Sequence, residues 1–78
     1  MTFEIVCPES VVESEIAAGL TQLDVAMTYA LAMRKSDPGE VDWGRMNKAV
    51  RKKWGRTGLA QVKRWAHDYY SGRREFGT

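Results

Sequence analysis

Residues 51–67 read RKKWGRTGLAQVKRWAH, and the fold turns on whether Gly-Arg-Thr-Gly at 55–58 ends one helix and starts another. Glycine inside a helix costs about 1 kcal/mol against alanine, and two within four residues mark a break. Apolar residues support a helix on each side of it. Trp43, Met46, Val50 and Trp54 recur at spacings of 3, 4 and 4 before the break; Leu59, Val62, Ala66 and Tyr69 recur at 3, 4 and 3 after it. Such spacing places each set on one helix face. The expectation is a third helix over about residues 43–54, capped by Asp42, and a fourth over about 58–71, capped by Thr57.

Working outward, Ser10-Val11-Val12-Glu13 has the form of a capping box, and a first helix is expected over about residues 11–18, ending at Gly19. Thr21-Gln22-Leu23-Asp24 repeats the cap logic for a second helix over about residues 22–35. That helix carries Leu23, Met27, Ala30 and Leu31 on one face and Val25, Tyr29, Ala32 and Met33 over much of the rest, so it is expected to be central. Ser36-Asp37-Pro38-Gly39 stops it. Residues 1–9 read as an extended lead-in, in which Phe3, Ile5 and Cys7 alternate like a brief strand until Pro8 ends any ladder. Residues 72–78 read as a frayed tail. The chain is thus expected to be all-α, a small bundle of about four helices forming one domain over residues 1–78. A domain this short buries only about 60 to 65% of its unfolded surface. Its thin core is assigned to Met27, Leu31, Trp43, Val50 and Trp54.

Composition argues against most chemistry. One cysteine, Cys7, makes no internal disulfide, so a reducing cytoplasm is the default compartment. No basic segment leads into an apolar run at the N-terminus, and no apolar stretch reaches the roughly 18 residues of a membrane span. His67 and Asp68, adjacent in sequence, lie on different sides of a helix and form no positioned acid–base pair. No set of ligands has metal-site spacing, and Gly55 and Gly58 lack the surroundings of a phosphate loop. The expectation is a non-enzymatic protein with no cofactor, no metal and no membrane association.

Charge is the strongest functional signal. Residues 1–42 hold eight acids against two basic residues, a balance of −6, and residues 43–78 hold ten Lys and Arg against two acids, a balance of +8. Such a dipole steers partners. The candidate contacts for nucleic acid or a protein partner are Arg45, Lys48, Arg51, Lys52, Lys53, Arg56, Lys63 and Arg64, with Lys48 and Lys52 placed by their i, i+4 spacing off the apolar stripe. Trp65, Tyr69 and Tyr70 are candidate aromatic contacts, since such side chains stack on bases and fill partner pockets. A helix-turn-helix does not account for the pattern. That template wants a small residue four before its turn glycine and apolar residues one, six and nine after it. Counting from Gly55 gives Arg51, Arg56, Gln61 and Arg64; counting from Gly58 gives Trp54, Leu59, Arg64 and His67, of which Leu59 alone fits.

Residues 42–66, DWGRMNKAVRKKWGRTGLAQVKRWA, carry a theme of Trp43, Met46, Asn47, Ala49-Val50, Lys53-Trp54, Leu59, Val62-Lys63 and Ala66. It resembles a run in short proteins of phages and mobile elements, mostly proteobacterial. The resemblance covers 25 of the 78 residues and implies a setting rather than an activity. Tiny proteins of that setting act by stoichiometric binding, among them inhibitors of host defence such as anti-CRISPRs. Three readings follow: an anti-CRISPR-like inhibitor that binds a host nucleic-acid-handling complex, a small basic nucleic-acid-binding protein or regulator, and a self-associating module whose acidic and basic halves pair between copies.

Overall fold

A computed structural model describes residues 7–35 and 41–73. Three helices pack into one globule of 34 × 26 × 24 Å: α1 (Pro8–Ala17), α2 (Gln22–Lys35) and α3 (Trp43–Ser71). No strand is present among the described residues; the expected strand at Phe3 and Ile5 and the stop at residues 36–39 lie outside them.

The first helix starts earlier than its capping box suggested. Proline at the first position has its φ preset for a helix and lacks an N–H that would need a partner, so the turn begins at Pro8. The Cys7 carbonyl accepts from the backbone N–H of Ser10 (3.0 Å) and of Val11 (3.1 Å), which places Ser10 inside the helix and not at its cap. At the far end Gly19 takes φ 81°, its N–H donates to the Ile16 carbonyl and the Leu20 N–H donates to the Glu15 carbonyl. Those two bonds form a Schellman stop. The second capping box is built as read: Thr21 N–H donates to Asp24 Oδ2 at 3.2 Å, and Asp24 N–H donates back to Thr21 Oγ1 at 3.2 Å.

Helix α2 is central, but its inward face is displaced from the large side chains. Val25, Ala26, Tyr29, Ala30 and Ala32 are buried, whereas Met27 is half-buried at the core edge and Leu31 is half-buried. Alanines at the centre let neighbouring helices approach closely, and the longer side chains seal the margin. The tryptophans follow the same rule. Of the five residues assigned to the core, Val50 is fully buried, and Trp43 and Trp54 join Trp65 as half-buried rings packed against it.

The third and fourth expected helices run directly into one another as the 29-residue element α3, two helical arms that meet at a kink with no loop between them. Asp42 caps it as expected, its Oδ1 accepting from Arg45 N–H at 3.0 Å. The break is one residue, Gly55, at φ 74° and ψ −175°; Thr57 is an ordinary helical position and caps nothing. A straight helix of this length would measure about 43 Å at 1.5 Å per residue, longer than the molecule's 34 Å maximum extent. Contacts show where the chain goes instead. Trp43 and Asn47 lie beside Tyr29, Gly58 lies beside Gln22, and Tyr69 lies beside Arg34. Residues 43–54 therefore run antiparallel to α2, and residues 56–71 turn back along it. A second Schellman stop ends the element, with Gly72 N–H donating to the Tyr69 carbonyl and Arg73 N–H to the Asp68 carbonyl. These two residues of the expected tail are thus hydrogen-bonded.

Two glycines make the corner for different reasons. The Gly55 dihedrals fall in a region essentially confined to glycine, with open space around the missing Cβ. Gly58 has helical backbone, but a Cβ there would overlap Trp54 Cβ. We expect Gly55→Ala to lower stability by about 1 to 3 kcal/mol through backbone strain. Gly58→Ala destabilises through the forced separation of the two arms. Thermal melting checks both, and a Gly55→Ala protein that melts like the parent would show that the corner is not strained toward glycine.

Candidate nucleic-acid interface

The corner distributes the basic residues into a band with three depressions. The first lies between α1 and residues 43–54, a groove of about 620 Å³ with Ile16, Ala17 and Ala49 as its floor and Lys48, Lys52 and Lys53 at its rim. Arg45 stands at its end but is tied to α1: its Nε donates to Glu13 Oε2 at 2.8 Å and its terminal NH2 to Glu13 Oε1 at 2.7 Å. This bidentate pair gives Arg45 an acidic partner within the fold, although its side chain remains exposed. The second depression, about 370 Å³, sits at the corner between Arg51, Arg56 and Lys63, over Leu59 and Ala60. Helical geometry links the two, because Lys48, Arg51 and Lys52 are neighbours on one face at i, i+3 and i+4.

The third depression holds about 350 Å³ and was not anticipated. Tyr29 and Met33 of α2, Trp43 and Asn47 of the first arm and Lys63, Ala66 and His67 of the second arm line it. Residues 43 and 67 would stand about 36 Å apart on a straight helix; the Gly55 corner brings them to one cleft. Tyr29 O–H donates to Asn47 Oδ1 at 3.0 Å, and the Tyr29 and Trp43 rings meet at 5.9 Å and 57°. Burial pushes the Tyr29 phenol above its ordinary range. The sequence signals were present as two i, i+4 pairs, Trp43 with Asn47 and Lys63 with His67, but only the corner joins them.

Lys48, Arg51, Lys52, Lys53, Arg56, Lys63 and Arg64 are all exposed, and none has a hydrogen bond or ion pair among the described residues. Arg64 follows Lys63 about 100° further round the helix. The aromatic candidates separate: Tyr70 is 46% exposed, Trp65 is half-buried against the core, and Tyr69 is buried, with its carbonyl accepting from Arg34 at 3.0 Å. Tyr69 is therefore a core residue and not an exposed contact.

The acids behave in the opposite way. Every acid of residues 1–42 that is described has a partner inside the fold. Glu9 accepts from the Cys7 thiol at 2.8 Å, Glu13 from Arg45, and Glu15 from Thr28 Oγ1 at 2.6 Å. The Asp24 carboxylate accepts from the Thr21 N–H and hydroxyl, and Asp42 caps α3. The described acids of residues 1–42 thus act within the structure, while the described basic residues of α3 other than Arg45 face outward. Among the described residues no group of three or more His, Cys, Asp or Glu is placed to hold a metal ion, and no helix is long and apolar enough to cross a membrane.

Glu13 offers a pH test of the α1–α3 tie. The guanidinium hydrogen bonds from Arg45 hold its carboxyl below the ordinary carboxylate range, against a smaller opposing effect of desolvation. A depressed folded pKa contributes stability that is complete above the unfolded value, about 4.3, and is lost as pH falls through the folded value. We expect a ¹³C titration of the Glu13 side chain to have its midpoint below the ordinary value and Arg45→Gln to restore it; an ordinary midpoint in the parent protein would show that the pair does not persist in solution. Comparison of the chain with protein-family models, with curated proteins and with solved structures gives no match.

Proposed function

We propose that this is a non-enzymatic binding protein whose basic α3 surface seats on the nucleic-acid-bearing face of a host nucleic-acid-handling complex and inhibits it by occupying that face. One observation carries the reading: seven exposed Lys and Arg side chains of α3 have no hydrogen-bond or ion-pair partner among the described residues, while the described acids of residues 1–42 are held within the fold. Exposed cations grouped along one element gain most by displacing counterions from phosphates. The resemblance of residues 42–66 to short phage proteins supplies the inhibitory, anti-CRISPR-like setting.

Direct binding to nucleic acid, as a small regulator, is the second reading, and the internal use of the acids favours it. A freely displayed acidic half would have argued against a dedicated nucleic-acid binder, and the described acids do not form one. The same pairing counts against self-association through opposite halves, because Glu13 and Arg45 already meet within one copy.

Charge reversal tests the lead reading. Lys48→Glu with Lys52→Glu is expected to melt like the parent, since both side chains are exposed, and to lose capture of the nucleoprotein target. Capture that survives nuclease treatment of the target marks a protein surface as the main contact; capture abolished by nuclease marks nucleic acid alone. On free duplex DNA, engagement of four phosphates by Lys48, Arg51, Lys52 and Arg56 gives a log–log salt slope of about −3.6. Unchanged binding and inhibition in the charge-reversed protein would reduce the basic band to a solvated face.

A further inference from the structure

The cleft at the junction of α2 and the two arms of α3 combines features that phosphate binding alone does not require. We propose that it binds one unpaired nucleotide of a single strand, with the base against Trp43 and Met33, a base-edge acceptor on the Asn47 amide, and the flanking phosphates on Lys63 and Arg56. This rests on the reading that the basic band meets nucleic acid, and it specifies the form in which that nucleic acid is presented.

The first support is the state of Asn47. Its Oδ1 already accepts from the Tyr29 hydroxyl at 3.0 Å, which fixes the amide plane. Its Nδ2 has no partner among the described residues, so two N–H donors remain for an acceptor entering the cleft. Every nucleobase presents at least one such acceptor on its edge. A bare phosphate would satisfy the donors too, but it would leave the adjoining aromatic and thioether surfaces unused.

The second support is preorganisation. Trp43 is half-buried, and the tilted Tyr29 ring 5.9 Å away holds the indole in place. A ring already ordered by the fold loses little conformational freedom on stacking. Stacking on an aromatic platform tolerates any base, because every base has a π-face.

The third support is continuity of charge. Lys63 lines both this cleft and the neighbouring depression that holds Arg51 and Arg56. A strand whose base enters beside Trp43 therefore meets a cation at the mouth and further cations along the corner. Duplex bases are stacked on both faces and paired along their edges, so the cleft admits a nucleotide only from a single strand, a loop or a displaced strand.

The test compares the whole protein's binding to a twelve-nucleotide single strand and to an abasic strand of equal length and phosphate number. The base-bearing strand is expected to bind about tenfold more tightly, and the Trp43 indole N–H resonance to shift with that strand alone. Asn47→Asp keeps an acceptor for Tyr29 while removing the N–H donors, and should shrink the difference between strands. Lys63→Glu should weaken both. Equal affinity for the two strands with an unmoved Trp43 resonance would overturn the nucleotide site while leaving the basic-band reading intact. Failure of either strand to bind, together with unaltered target capture by the Lys48→Glu, Lys52→Glu protein, would overturn both.

Discussion

A single backbone constraint organises this molecule: the Gly55 conformation that lets one 29-residue helical element reverse within its own length. Without it α3 would project beyond the body of the protein, because a straight helix of that size is longer than the molecule's greatest extent. With it, Met46 and Val50 from one arm and Leu59, Val62, Ala66 and Tyr69 from the other close a core on the small residues of α2. The reversal also sets the closeness of Gly58 to Trp54, which forbids a side chain at that glycine. Chain direction, core closure and the junction cleft are therefore consequences of one residue that can adopt a positive φ at little cost.

Electrostatics then divides labour between the two halves. The described acids of residues 1–42 cap helices or hold α1 in place, and Glu13 clamps Arg45 across the α1–α3 boundary. At α3 the remaining lysines and arginines have no such partners among the described residues and are exposed. A formal net charge of only +2 thus conceals a surface whose available charge is predominantly positive on one element. Field strength at a partner follows this local distribution more than the net value, which is why the functional proposal rests on which charges are paired and not on their count.

The sequence disclosed local structure well where a few neighbouring residues decide it. The Thr21–Asp24 capping box, the Asp42 cap and the Gly19 stop depend on residues within one turn, and each is built as read. Pro8 outcompeted Ser10 for the start of α1 because a preset φ at the first helical position acts before a side-chain cap is needed. Burial within α2 was harder to read: hydrophobicity favoured Met27 and Leu31, whereas close helix approach favoured Ala26 and Ala30. Similarly, the glycines at 55 and 58 announced a break but not its one-residue span or its sense. The candidate site inherits both outcomes. Its lysines were visible as an i, i+4 pattern, the pairing of Arg45 with Glu13 32 residues away was not, and the Trp43–Asn47–Lys63 cleft exists only because the arms fold together.

The reversal at Gly55 is most directly measured as a distance across it. Spin labels on Gly44→Cys and His67→Cys, in a Cys7→Ser background, mark exposed positions on the two arms. A continuous helix would separate them by about 35 Å. The folded-back arrangement predicts a narrow distribution centred at less than half that value. A distribution centred near the straight-helix distance would contradict the corner, and with it the shared core, the junction cleft and the continuous basic band.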